Sequence, residues 1–109
     1  MDSTYQERLA TMEAEWEEFE KLYTEMKAKR AALLRERPCD FYLEYNGKVW
    51  IQYRDRTGQL SGSYGWSQVD PSHRAVWTSQ TRKGAKSYAQ FLQALKGIIG
   101  IEVKDRPIT

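Results

Sequence analysis

One cysteine and one histidine are the scarcest chemistry in this chain. That scarcity excludes a disulfide framework, a Cys/His zinc site and a cysteine–histidine dyad with spare ligands. No apolar run approaches the ~20 residues that a membrane span requires. The opening MDSTYQER has no apolar core, so no signal peptide is expected and the cytoplasm is the expected location. Net charge is only +2, far from the strongly basic balance of domains that track duplex nucleic acid. Internal repeats and low-complexity segments are absent too. What remains, over 109 residues with 40% hydrophobic and 29% charged, has the size and composition of one folded domain.

The small net charge conceals an asymmetry. Residues 1–25 hold eight acids against two bases, and residues 26–37 hold five bases against one acid. Segments of opposite sign suggest contacts between unlike segments, within or between chains. The plainer reading is a solvated helix whose charges complement its macrodipole, at ~0.3–1 kcal/mol each.

Residues 3–37 read as one long helix. Ser3 or Thr4 is placed to cap it, with Gln6 or Glu7 three residues on. No glycine or proline interrupts the segment before Pro38, which stops it. Tyr5, Leu9, Met12, Trp16, Phe19, Tyr23, Met26 and Leu33 recur at steps of three and four, a heptad seam broken only by Arg30. Such a helix spans roughly 50 Å. The remaining chain would fold to a body roughly 30 Å across, too small to cover the whole stripe. A homodimer is therefore expected, with Leu9, Met12, Trp16, Phe19, Tyr23 and Met26 at its interface. Parallel helices would set Glu15 against Glu20, whereas antiparallel helices lay the acidic half on the basic half, for example Glu13 near Lys27. The antiparallel pairing is preferred. Packing of the seam on the chain's own sheet is the alternative.

Residues 38–109 read as an α+β body. Phe41–Tyr45 and Lys48–Arg54 flank Asn46-Gly47, a strong two-residue hairpin signal. That turn predicts Tyr45 opposite Lys48, Leu43 opposite Trp50 and Phe41 opposite Gln52. Both faces carry apolar bulk, so both are expected to be partly covered. Residues 54–58 form a turn, and 59–69 a third strand that Gly62 and Gly65 weaken or bulge. Asp70-Pro71 turns the chain, and 74–80 is assigned as a fourth strand. A second helix is predicted over 82–96, with Ala85, Tyr88, Ala89, Phe91, Leu92 and Leu95 inward and Gly97 as its stop. Ile98 to Lys104 is assigned as the last strand, ending before Pro107. The expected fold is thus a long N-terminal helix, an antiparallel meander of three to four strands, a second helix and a short C-terminal strand.

The most suggestive stretch for chemistry is Thr78 to Ser87, where hydroxyls and three bases open a helix. Helix N-termini attract phosphate. A Walker loop is excluded, because Gly84 is followed by alanine rather than by Lys and a hydroxyl residue. A capped, solubilising helix start is the plainer reading. Arg54, Arg56 and Arg74 are interleaved with Tyr64, Trp66 and Trp77, a mixture suited to stacking on bases and gripping phosphate. Together with Arg82, Lys83 and Lys86 these nine form the expected ligand-binding set. The same residue types also make protein-interface anchors.

No metal site, cofactor or catalytic centre is expected. His73 has only Asp70 near it, Cys39 has no histidine near it, and the carboxylates outside the first helix are sparse. The leading function is a non-catalytic, homodimeric protein that holds an anionic ligand, a nucleotide or a short nucleic acid. The alternative is an inhibitor or adaptor whose acidic helix, from Glu13 to Glu20, meets a basic partner. Both modes would suit a small bacteriophage accessory protein that blunts host defence, so the two readings share one expected setting.

Overall fold

In the computed structural model, which describes residues 2–108, helix α1 runs Asp2–Arg35. Its first turn already contains Ser3 and Thr4, so Thr4 is not its cap. The side chain of Ser3 lies outside the described residues. The helix also stops two residues earlier than expected. Pro38 disfavours helical geometry at the residue before it, and the last helical bond beyond Arg35 runs from the Glu36 N–H to the Ala32 carbonyl. The exposed threonines fit because Thr11 and Thr24 donate their hydroxyls to the Glu7 and Glu20 carbonyls. The chain divides into two compact units, Met1–Glu36 and Arg37–Thr109.

The second unit is an α+β body. It contains β1 (Cys39–Tyr45), β2 (Lys48–Arg54), β3 (Leu60–Ser67), α2 (Arg82–Lys96) and β4 (Glu102–Pro107). The sheet is antiparallel, in the order β3-β2-β1-β4. Asn46 and Gly47 both adopt positive φ, 52° and 75°, as a tight hairpin turn demands. The predicted pair Tyr45–Lys48 forms, and beside it Glu44 pairs with Val49.

Beyond those two pairs the expected register is not made. The strands β1 and β2 part, and residues 75–79 enter the gap. Gln52 N–H donates to the Ala75 carbonyl at 2.8 Å, and Trp77 N–H donates to the Trp50 carbonyl at 3.0 Å. On the other side, Phe41 and Ser79 exchange both backbone bonds, at 2.9 and 2.8 Å. The ladder groups that β1 and β2 would have offered each other are thus satisfied by a third segment. Residues 74–80 are therefore not a fourth strand but a wedge that makes two isolated bridges, Val76 to Ile51 and Ser79 to Phe41. Its side chains still alternate. Val76 joins Tyr42 and Val49 in one apolar cluster, while Trp77 packs against the cluster of Leu43, Trp50, Ala85, Ala89 and Leu92. Both sheet faces are therefore covered, as their composition implied.

The remaining turns follow local chemistry. Asp55 Oδ1 accepts from the Thr57 N–H and hydroxyl and from the Gln59 N–H, closing the β2–β3 turn. Between Gln52 and Arg54 the β2–β3 register shifts, opposite the stretch that holds Gly62 at φ 90°. Asp70 Oδ1 repeats the Asx pattern on Ser72. Arg106 of β4 reaches across to the Pro71 carbonyl at 3.1 Å and ties that loop down.

Helix α2 keeps the predicted bounds. Thr81 caps it by accepting from the Gly84 N–H, and Gly97 ends it in the left-handed region at φ 66°. Its inward face is narrower than expected: Ala85, Ala89 and Leu92 are buried, whereas Phe91 and Leu95 are exposed. The last strand also lies later than expected. Gly97 and Gly100, both at positive φ, keep 98–101 out of the sheet, and the Ile101 N–H donates instead to the Gln93 side chain. Pairing with β1 then runs through Pro107, opposite Cys39 at the strand's end.

Candidate functional site

The wedge makes a groove. Where residues 75–78 run beside the end of β2, Gln52, Tyr53, Arg54, Arg74, Trp77 and Thr78 line an open cleft of about 520 Å³ above Ala75 and Val76. Its walls are held from behind. Tyr88 on α2 packs its ring 4.5 Å from that of Trp77, and its hydroxyl accepts from the Gln52 Nε2 at 2.6 Å. The other amide atom of Gln52, Oε1, accepts from Arg54 Nη2 at 3.3 Å, and Arg54 Nη1 donates to the Gly58 carbonyl at 2.7 Å. A guanidinium has five N–H groups, so this seating orients Arg54 and leaves donors to spare. Arg74 is exposed at the rim. Behind the rim, His73 Nδ1 accepts from the Ala75 N–H at 3.0 Å, and its ring meets Tyr53 edge to face. Accepting at Nδ1 puts any ring proton on Nε2.

Only three of the nine expected ligand residues, Arg54, Arg74 and Trp77, come together here. Arg56 sits exposed on the turn after β2 and lines no cleft with them. Trp66 is a packing residue: its ring lies 5.1 Å from Trp50, edge to face, and 5.4 Å from Tyr45. Among the described residues, both indole N–H groups of that pair are buried without an acceptor. Tyr64 leans on the same Trp50 at 6.1 Å but remains exposed.

The start of α2 does not form the expected phosphate cradle. Thr81 Oγ1 takes the Gly84 N–H, and Ser79 Oγ bonds both the N–H and the carbonyl of Thr81. A Cβ on Gly84 would stand 2.7 Å from Ser79 Oγ and 3.1 Å from Thr81 Oγ1. The glycine therefore serves the cap. Arg82 is also committed, lying over the Phe41 ring at 4.8 Å and pairing with Asp105 at 3.3 Å. With Lys86 it borders a separate depression that also contains Glu102. Lys83 is exposed and lines neither cleft.

The titration shifts have local structural causes. Hydrogen bonds from Thr57 and Ser72 hold the Asp55 and Asp70 carboxyls below the usual range. Burial raises the Tyr42 phenol, and the Glu102 carboxylate raises the Lys104 ammonium. Among the described residues no group of three His, Cys, Asp or Glu side chains converges to hold a metal ion. Cys39 is half-buried and unpaired at the start of β1.

The second candidate surface is α1. Of its six expected interface residues, Met12, Trp16, Phe19, Tyr23 and Met26 are exposed, while Leu9 is half-buried. Trp16 meets Phe19 edge to face at 5.6 Å, and Phe19 stacks on Tyr23 at 6.4 Å. Lys27 Nζ lies 5.5 Å over the Tyr23 ring. Leu22, outside the heptad seam, is 49% exposed and borders the stripe. No helix among the described residues is long and apolar enough to cross a membrane.

No protein-family model, curated protein or solved structure matches this chain.

Proposed function

We propose that the chain is a non-catalytic binding protein, homo-oligomeric through α1, whose body holds an anionic ligand, a nucleotide or short single-stranded nucleic acid, in the groove beside β2. The observation that carries this reading is the convergence of Arg54, Arg74 and Trp77 on one cleft. A guanidinium grips a phosphate bidentately, and an indole face takes a base. The positions of Arg54 and Trp77 are set by Gly58, Gln52 and Tyr88 before any ligand arrives, so less ordering entropy is lost on binding. The Nδ1 of His73 is occupied by a backbone N–H, so that nitrogen is not free to act as a base. The unpaired Cys39 suits a reducing compartment, and the cytoplasm belongs to the same proposal.

Titration with mononucleotides and short oligonucleotides, followed by tryptophan fluorescence, tests it. Losing one charge-assisted contact costs about 1.5–3 kcal/mol, so Arg74→Ala should weaken binding at least tenfold. Lys83→Ala with Lys86→Ala should change it little, because neither residue lines this groove. Equal losses from both variants, or no binding to the wild type, would reject the groove.

A second reading has its own observation. Glu17 and Glu18 are exposed beside the aromatic stripe, an acidic patch suited to a basic partner. As an inhibitor or adaptor, of the bacteriophage kind, the protein would lose partner capture on reversal of both charges while keeping its fold.

A further inference from the structure

The stripe on α1 carries information about its own partner. Met26 is 70% exposed and Trp16 54%, on a helix whose apolar positions follow a seven-residue repeat. Such a seam is complete only when another helix covers it. The flanking charges say which helix. We infer that α1 pairs with α1 of a second copy, antiparallel, in the one register that lays Leu22 against Leu22 of the partner subunit. The inference rests on the homo-oligomeric part of the reading above and is independent of the groove.

Direction follows from the seam itself. Parallel helices in register would set Arg30 against Arg30 of the partner subunit, inside the seam, and Glu15 against the partner's Glu20 on its flank. Both are like-charge contacts, the first partly desolvated. Antiparallel helices bring each first seam position to the other type. Leu9 then meets the partner's Leu33, Trp16 meets the partner's Met26, and Tyr23 meets the partner's Phe19. Arg30 falls opposite the partner's Met12, beside the partner's Glu15, so the one charged residue in the seam gains a counter-ion.

Register follows from the flanks. In this alignment Arg8 faces the partner's Glu36, Glu13 faces the partner's Lys27, and Glu15 faces the partner's Lys29, each contact occurring twice by symmetry. Only Glu20, on the axis, meets its own kind. Leu22 is a flank residue with no role in the seam, and in this register it covers its own copy. A slip of one heptad in one direction sets Glu13 on Glu20 and Arg8 on Lys29. A slip in the other sets Glu15 on Glu36 and keeps attraction only at Glu20 on Lys27, so the two cancel. Neither slip matches the attraction of the inferred register, so the charge pattern discriminates against both neighbours. The acidic first part and basic last part of the helix are the same device on a coarser scale.

Spin-label distances on the full chain, in a Cys39→Ser background, test direction and register together. Glu7→Cys and Lys21→Cys place labels on the side of the helix away from the seam, so neither disturbs the contact. At ~1.5 Å rise per residue, the inferred register separates the two residue-7 backbones by roughly 40 Å along the axis and brings the residue-21 pair level. Equal distances from both labels would mean parallel helices and overturn the inference. A residue-7 distance about 10 Å shorter or longer would mean a slipped register and overturn it as well. Charge reversal gives an independent readout. Glu13→Lys with Glu15→Lys should weaken the dimer at least tenfold, and adding Lys27→Glu and Lys29→Glu should restore it. Absence of rescue, or a chain monomeric at every concentration, overturns the pairing and leaves the ligand titration to be judged by itself.

Discussion

In the body, Leu43 and Trp50 are 0% and 1% exposed, whereas on α1 Trp16 and Phe19 are 54% and 56% exposed. The two units thus spend similar residues differently. The body folds around its aromatics: Trp50 touches Trp66, Tyr64 and Tyr88. The helix displays its own in a row, with Trp16 edge to face on Phe19 and Phe19 stacked on Tyr23. This exposed apolar stripe is the surface on which the proposed pairing of α1 rests. On the proposed pairing, stability is invested in the body and contact surface in the helix, so that substitutions in the two should have separable consequences.

The sharpest separation comes from the body's centre. Trp50→Ala removes the largest fully buried side chain and should cost about 3–5 kcal/mol in urea unfolding. A cost below ~1 kcal/mol would show that the core is elsewhere. Trp16→Ala with Phe19→Ala should leave the body's unfolding within ~0.5 kcal/mol of wild type, since both side chains are solvent-exposed. The same pair should weaken self-association at least tenfold, read by sedimentation. If the body lost stability instead, the division between the units would fail. Smaller still is Thr81→Ala, which frees one helix N–H and should cost about 1 kcal/mol.

The smallest expected effect is acid sensitivity. Asp55 and Asp70 have folded-state pKa values below their unfolded ones, because Thr57 and Ser72 donate to the ionised carboxylates. Their contribution is therefore present above the unfolded value and lost as pH falls through the folded one. Lys104, raised by Glu102, behaves oppositely and loses its contribution only as pH rises through its elevated value. Stability should be flat near neutrality and erode below the ordinary carboxylate range. Asp55→Asn with Asp70→Asn should flatten part of that acid slope, in unfolding curves taken at several pH values. An unchanged slope would assign the acid loss to other carboxylates.

Local signals in the sequence were read correctly where chemistry is local. Asn46-Gly47 marked a tight turn, and Gly97 marked the end of α2, because these residues act within one or two turns of themselves. The parting of β1 and β2 was not legible. It depends on Ala75 to Ser79, which are distant in sequence and compete for the same backbone groups. The groove was therefore only partly foreseen. Arg54, Arg74 and Trp77 suited a ligand by type, but Gln52, Tyr53 and Thr78 join them only because the strands separate. Arg82 and Trp66 had the right chemistry and the wrong surroundings, an ion pair with Asp105 and a packed ring on Trp50. Residues 98–101 look like a strand by composition, yet Gly97 and Gly100 turn the chain at positive φ and the Ile101 N–H bonds the Gln93 side chain.

The account turns on what covers α1. Sedimentation equilibrium of the wild-type chain across a wide concentration range measures this directly. Reversible association to twice the 12.8 kDa chain mass, abolished by Trp16→Ala with Phe19→Ala, is the predicted result. A single-chain mass at every concentration would contradict it.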